Sequence, residues 1–237
     1  MDDHRLRHAH PLAAGALRAD RPAGIRALVV RGGWEGHQPV ACTELFLPLL
    51  RDHGYELTIV DDLDVYADAS ALRGLDLIVQ CWTRGRLTDE QEKGLLACVR
   101  GGTGFAGWHG GVVASFHEAG GYQYMMGGRF VCHPGGFVDY DVKIVGDHSI
   151  VEGIGDFSVH TEQYFCHFDP TLTVLATTTF TGDHGAPETA GAVIPVVWLR
   201  RYGQGKVFVC TLGHAPEDLR VPQTRTIVER GLLWAGR

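Results

Sequence analysis

Long apolar runs are missing from this sequence. None approaches the roughly 18 residues that span a bilayer, so no membrane partner is expected. Positive charge is in deficit. The chain holds 21 Lys and Arg against 28 Asp and Glu, a formal charge of −7, and has no basic stripe. A nucleic-acid partner is therefore not expected. Paired cysteines are absent too. Cys42, Cys81, Cys98, Cys132, Cys166 and Cys210 form no Cys-x-x-Cys motif, and most sit in apolar segments, as buried free thiols do. That usage suits a reducing cytoplasm. Residues 1–22 mix Arg, His, Asp and Ala without the apolar core of about 7–15 residues that marks a signal peptide. They read as a disordered leader, with His4, His8 and His10 in a solvated tail. No residues stand at His-x-His or His-Glu-x-x-His spacing, so spacing alone gives little sign of a metal.

What is present is an alternation of strand and helix patterns. The 237 residues, 45% of them apolar, suit a leader followed by one domain over residues 23–237. Residues 25–30 form an apolar, β-branched run that reads as a buried strand. Residues 38–53 carry helical spacing, and residues 55–60 and 75–80 read as strands. Thr88 and Gln91 stand as a capping box at the head of a helix that Gly101 and Gly102 should stop near Arg100. Residues 104–107 form the next strand, with a helix after His109 reaching about His117. This order predicts a three-layer α/β sandwich with a mostly parallel central sheet. Residues 139–145, 172–178, 194–200 and 206–212 read as further strands. Residues 203–205 form a hairpin turn between the last two, and a closing helix covers residues 222–235. Ligands of such sheets bind beyond the carboxyl ends of the strands. Residues 32–37, 82–86 and 108–111 leave those ends and should line one crevice.

Gly107-Trp108-His109-Gly110-Gly111 has the spacing of a nucleophile elbow, a sharp turn from strand to helix that glycines permit. It presents histidine where Ser or Cys normally stands. Imidazole is a good metal ligand and general base but a poor stable nucleophile. Further polar residues fall where the crevice should be: His37 in the first loop, His133 before Pro134, Glu162 and Tyr164 in His-Thr-Glu-Gln-Tyr, and His214 after the last strand. Trp34, Trp82 and Trp108 could offer aromatic surface to a sugar ring or simply fill the core. His53, His117, His148, His167 and His184 are read as surface residues.

The elbow, Gly-Gly-Arg-Phe-Val-Cys-His-Pro at 127–134, Glu162-x-Tyr164, Val196-Val197-Trp198, Leu212-Gly213-His214 and Trp234-Ala235 together resemble the ThuA-like (trehalose-utilisation) family. The resemblance runs from about Arg26 to Gly236. It implies a flavodoxin or class I glutamine amidotransferase-like fold, with His109 in the place of the nucleophilic cysteine. His214, followed by Ala-Pro-Glu217, resembles the triad histidine. Without a cysteine at the elbow, glutamine hydrolysis through a thioester is not expected. The resemblance implies an enzyme acting on a sugar, such as trehalose, a related disaccharide or a keto-glycoside.

The expected mechanism is metal-assisted acid–base chemistry. His109, His133 and His214 would hold a divalent metal, with zinc favoured. His109, Glu162, His214, His37 and Tyr164 are the catalytic candidates, and Trp34, Trp82, Trp108 and Arg129 the substrate-binding ones. No nucleotide cofactor is expected, and the chain could form a homo-oligomer. Two alternatives stay open: a non-catalytic carbohydrate-binding or regulatory module, and an amidotransferase-like hydrolase using another thiol, such as Cys81.

Overall fold

Ala27, Leu28, Val29 and Val30 are all buried and form the middle of strand β1 (Arg26–Gly33) in a computed structural model that describes residues 24–236. The expected leader, residues 1–22, lies outside the described residues. After β1 come helices α1 (Pro39–Glu44) and α2 (Leu47–Asp52), β2 (Glu56–Val60), α3 (Ala69–Leu72) and β3 (Leu77–Thr83). Then follow α4 (Asp89–Arg100), β4 (Gly104–Trp108), α5 (Gly110–Val113) and α6 (Gly120–Met126). The second half holds β5 (Gly128–Cys132), β6 (Phe137–Ile144), β7 (Phe157–Glu162), β8 (Phe165–Phe168) and β9 (Thr173–Thr179). It ends with β10 (Val193–Tyr202), β11 (Gly205–Cys210), α7 (Pro216–Arg220) and α8 (Pro222–Ala235).

Nine strands form one sheet in the order β2-β1-β3-β4-β11-β10-β9-β6-β7. The pairs from β2 through to β11 are parallel, and those from β11 to β7 are antiparallel. Alternate residues of the parallel strands face two cores. Ala27, Val29 and Val79 pack with Phe46, Leu50, Ile227 and Leu232 on one side. Leu28, Val30 and Ile78 pack with Leu95, Tyr122 and Met125 on the other. This is the expected three-layer α/β sandwich.

Local chemistry explains where elements begin and break. The capping box forms: Gln91 N–H donates to Thr88 Oγ1 at 3.2 Å and Thr88 N–H to Gln91 Oε1 at 2.9 Å. The helix expected over residues 38–53 is instead two helices. Pro48 has no N–H for the preceding turn, and the chain restarts at Leu47 with Pro48 in the first turn of α2. The helix after His109 ends at Val113 rather than near His117. Ser115 Oγ donates to Trp82 O at 2.6 Å, Arg84 and Ser115 form an isolated parallel bridge, and Phe116 turns to φ 46°. Tertiary bonding to the loop after β3 thus overrides helical continuation. Strands β5, β7 and β8 lie in segments whose sequence pattern predicts none.

Only Lys143 and Ile144, at one end of β6, pair with β9. The rest of the β6–β7 ribbon makes no ladder pairs with β9, and packs through Val142, Phe157 and Val159 into the core. Its other end pairs Phe137 with Glu162 and brings both to the carboxyl edge of the parallel strands.

Candidate functional site

The loops after β1, β3, β4 and β11 meet at that edge, as expected for a crevice beyond the strand ends. His109 stands at the elbow with φ 50° and ψ −146°. For a residue with a Cβ such backbone strain costs on the order of 1–3 kcal/mol. Crowding fixes the turn. A Cβ on Gly107 would run into Gln80 O and Val112, and one on Gly110 into the His37 ring. Gln80, fully buried in β3, donates to Gly111 O at 3.0 Å and to Tyr122 Oη at 2.8 Å, which holds α5 from behind.

Four side chains converge there. Donor atoms of His37, His109, Glu162 and His214 all lie within 4.8 Å of one another, and this group could hold a metal ion. Glu162 Oε2 lies 3.0 Å from His109 Nε2, 3.1 Å from His214 Nδ1 and 4.0 Å from His37 Nε2. The ring of His109 is oriented by Thr211, whose carbonyl accepts from Nδ1–H at 2.8 Å. His37 Nδ1 is bonded to the Thr83 hydroxyl at 2.7 Å. Such outer contacts leave the other ring nitrogen of each facing the centre.

Protonation makes this cluster unusual. Burial pushes His109 below its ordinary value and favours the neutral ring. Burial and the neighbouring His109 and His214 push His37 down to about 3. Burial alone would raise the Glu162 carboxyl, but the imidazoles of His109 and His214 outweigh it and hold it well below the usual carboxylate range. A neutral imidazole has one N–H, and Thr211 takes that of His109. With its proton at Nδ1, His109 would meet Glu162 Oε2 at 3.0 Å with a bare Nε2, whereas a ring protonated at Nε2 donates to it. Such a contact requires a proton or a metal cation between them. His214 Nδ1 is likewise buried without a hydrogen bond among the described residues.

Above the cluster is a small cavity of about 170 Å³, whose lining includes Trp34, His37, Thr83, Arg84, Phe130, His133, Glu162 and Tyr164. Tyr164 stacks on His109 at 4.1 Å between ring centroids. Burial and the Glu162 charge push its phenol well above the ordinary value, so it stays a hydrogen-bond donor. His133, on the cavity wall, has Nε2 3.6 Å from Glu162 Oε1, and its side chain is 38% exposed. It stands outside the group of four that could hold a metal ion, whereas His37 and Glu162, expected as catalytic residues, stand inside it.

Other expected residues fall elsewhere. Trp34 lines the cavity mouth and is 40% exposed. Trp108 is core, packed 5.0 Å from Phe46, because the strand side of the elbow points inward. Trp82 is half-buried against Gly32 and is absent from the cavity wall. Arg129 is exposed on β5 and borders a separate groove with His167 and Asp169. Glu217 does not serve His214: it is exposed and pairs with Arg220 at 3.3 Å. Cys81 is buried, and burial pushes its thiol far up, so it offers no displaced nucleophile. Arg84, Thr83 and Phe130 line the cavity but are not among the expected site residues, and His117, expected as a surface residue, lines it too. The loop after the third strand was the available signal for Arg84 and Thr83.

Among the described residues no helix is long and apolar enough to cross a membrane. A ThuA-like protein from Parabacteroides merdae has the same fold, with a TM-score of 0.69 at 16% identity over 89% of both chains. Another, from Bacteroides uniformis, gives 0.68 at 15% identity over 91% of this chain and 93% of that one. A β-galactosidase from Bacillus circulans gives 0.55 at 13% identity, covering 89% of this chain but 30% of its own. These likenesses establish the fold. No protein of curated function matches the chain. The sequence itself matches the profile of the ThuA family, described as trehalose utilisation, over residues 26–235. The chain therefore belongs to the ThuA family.

Proposed function

We propose that this chain is an enzyme of carbohydrate metabolism that moves protons on a sugar or keto-glycoside beside a divalent metal ion. The observation that carries the reading is geometric: donor atoms of His37, His109, Glu162 and His214 converge within 4.8 Å of one another, with His109 Nε2 3.0 Å from Glu162 Oε2. His37, His109, Glu162 and His214 would hold the ion, and a set of imidazoles with one carboxylate suits zinc. Such an ion supplies positive charge that polarises a carbonyl or acidifies a hydroxyl.

The chain's own groups would do the rest. Tyr164, fixed by its stack on His109, donates a hydrogen bond to a substrate oxygen. His133, partly exposed and beside Glu162 Oε1, passes protons between substrate and solvent. Phe130 packs on Tyr164 at 4.4 Å and shields that wall from water. Trp34, at the mouth, packs against the face of a pyranose ring. The six free cysteines suit a reducing cytoplasm.

A second reading is a binding module without turnover. It is favoured by the recurrence of the fold as 30% of a β-galactosidase chain. A binding module, however, has no use for a buried cluster of three imidazoles and a carboxylate. The test is elemental analysis of untagged protein together with a turnover screen of 3-keto-disaccharides and their parent sugars. Stoichiometric zinc and turnover of an oxidised sugar are expected. Saturable binding without turnover would favour the module, and protein that takes up no metal from zinc-containing buffer would remove the metal.

A further inference from the structure

Arg84 has no role in the chemistry above, yet its placement is costly. It is one of five non-glycine residues with positive φ among the described residues, at φ 65°. Gln38, His109 and Phe116, three of the other four, also belong to the loops around the cavity. Backbone bonds hold Arg84 from both sides: its N–H donates to Ala114 O at 2.9 Å, and its carbonyl accepts from Phe116 N–H at 3.4 Å. The neighbouring Thr83 carbonyl accepts from Trp34 N–H at 3.1 Å. The loop after β3 is thus laced to the loop after β1 and to the segment after the elbow. The result places the guanidinium 4.7 Å from the centre of the Trp34 ring, at the mouth of the cavity.

Stacking uses the face of a guanidinium and leaves its N–H edge free for oxygen acceptors. No carboxylate among the described residues takes that edge: no ion pair involves Arg84, whereas Arg86 two residues on pairs with Glu118. The one carboxylate on the cavity lining, Glu162, is turned to the histidines. The lining otherwise carries Arg84, His117 and His133. Apart from Glu162, a chain of net charge −7 places no carboxylate on this wall.

We infer that Arg84 and Trp34 form an anion-recognising subsite, and that the preferred ligand is a sugar carrying a carboxylate or phosphate. The inference rests on the reading of this cavity as a sugar site. The cavity, at about 170 Å³, is well below the roughly 300–1,000 Å³ that enclose larger ligands. One ring fills it, and a charged substituent must lie at the mouth, where the guanidinium is. Arginine forks match both anions, and each gives two parallel N–H···O bonds.

The test is calorimetric binding of glucuronate, glucose 6-phosphate and glucose to the full chain, as purified and after chelator treatment. At least one anionic sugar should bind about 10- to 100-fold tighter than glucose, the usual weight of a charge-assisted pair. Whether glucuronate or glucose 6-phosphate wins identifies the anion. In Arg84→Gln the ratio should collapse towards one, and in Arg84→Lys part of it should remain. In wild type the ratio should fall as salt rises, which reads the same contact without a variant. Equal binding of all three sugars, binding of none, or a preference that survives Arg84→Gln overturns the inference. A preference that persists in metal-free protein would support it even if the metal reading fell. A zinc-loaded, active protein without the preference would overturn the subsite alone.

Discussion

The parallel and antiparallel halves of the sheet contribute different chemistry to the cluster. The parallel half, from β2 to β11, sends out three imidazoles: His37 after β1, His109 after β4 and His214 after β11. The antiparallel half supplies the acid, Glu162 at the end of β7, and with it Tyr164. The histidines sit on loops braced by strand ends, such as the Thr211 carbonyl that holds His109. Glu162 arrives on a ribbon that pairs with β9 only at Lys143 and Ile144 and is tied to it again by Gln163 Nε2, which donates to Thr178 Oγ1 at 2.8 Å. One half thus preforms a set of imidazole donors, and the other delivers the carboxylate that completes it.

The largest expected effect comes from deleting that charge. Glu162→Gln keeps shape but removes the anion that three imidazoles surround. Turnover on the true substrate should fall about 10²–10⁴-fold, the range for loss of a central acid–base group. Metal content should fall with it, while the melting temperature stays close to wild type. Unchanged turnover with unchanged metal would mean that the antiparallel half contributes packing only.

Next in size is a steric probe of the parallel half. A Cβ at Gly110 runs into the His37 ring, whereas one at Gly136, in the turn before β6, meets open space. Gly110→Ala should cost about 1–3 kcal/mol by overpacking and should disturb activity. Gly136→Ala strains only its own backbone, at φ 68°, and should cost about 1 kcal/mol. Denaturant titration with activity assays reads both. Equal effects would erase the contrast between a preformed and a delivered half.

Acid should separate the contributions by pH. His37 lies at about 3 in the fold against 6.5 for a free ring, so between those values the unfolded chain binds a proton that the folded chain refuses. His109 is lowered in the same direction. Their stability is therefore complete above pH 6.5 and is lost as pH falls. The Glu162 carboxyl, held below its free value of 4.5, adds a loss of the same sign at lower pH. The melting temperature should drop from pH 6.5 to 4.5 through the imidazoles, and further below 4.5 through Glu162. His37→Gln should flatten the first limb and leave the second. A flat profile in wild type would mean that the rings are not held neutral.

The same division separates what was legible in the sequence from what was not. In the parallel half, apolar runs, the capping box at Thr88 and the elbow glycines are local signals, and they announced β1 to β4, α4 and His109. The convergence of His109 and His214 follows from strand ends sharing an edge. In the antiparallel half the signals are long-range. Glu162 stands out as a catalytic candidate by its motif, but no strand pattern announces β7, whose Ser158 and His160 on the same face are exposed. The pairing of β7 with β6 and the bonds of Thr161 to Asp218 and Gln163 to Thr178 hold Glu162 inward. Trp108 was ambiguous because aromatic residues serve cores and sugar sites alike, and burial decided for the core. From sequence His133 is expected among the metal ligands and His37 among the catalytic residues, whereas the group whose donor atoms converge holds His37 and not His133. The difference between them is a distance to Glu162 of 4.0 Å at Oε2 and 3.6 Å at Oε1, together with which carboxylate oxygen each one meets.

The smallest expected effect tests the seam itself. Thr161 Oγ1 donates to Asp218 Oδ2 at 2.8 Å, which ties the end of β7 to α7 one residue before Glu162. Asp218 Oδ2 also accepts from Ala215 N–H at 3.3 Å, directly after His214. One carboxylate therefore fixes the delivered acid and one of the waiting imidazoles relative to each other. Thr161→Val keeps the branched shape and removes the donor. It should cost about 0.5–1.5 kcal/mol, the net weight of a hydrogen bond. Metal affinity should weaken by about 10- to 100-fold, as when an outer-shell partner is lost. Thr161→Ser restores the hydroxyl and should recover most of that affinity, although it loses a methyl group. If Val and Ser variants bind metal alike, the ribbon is positioned by packing alone. If only Val weakens metal binding, the two halves of the sheet are registered to each other through Asp218.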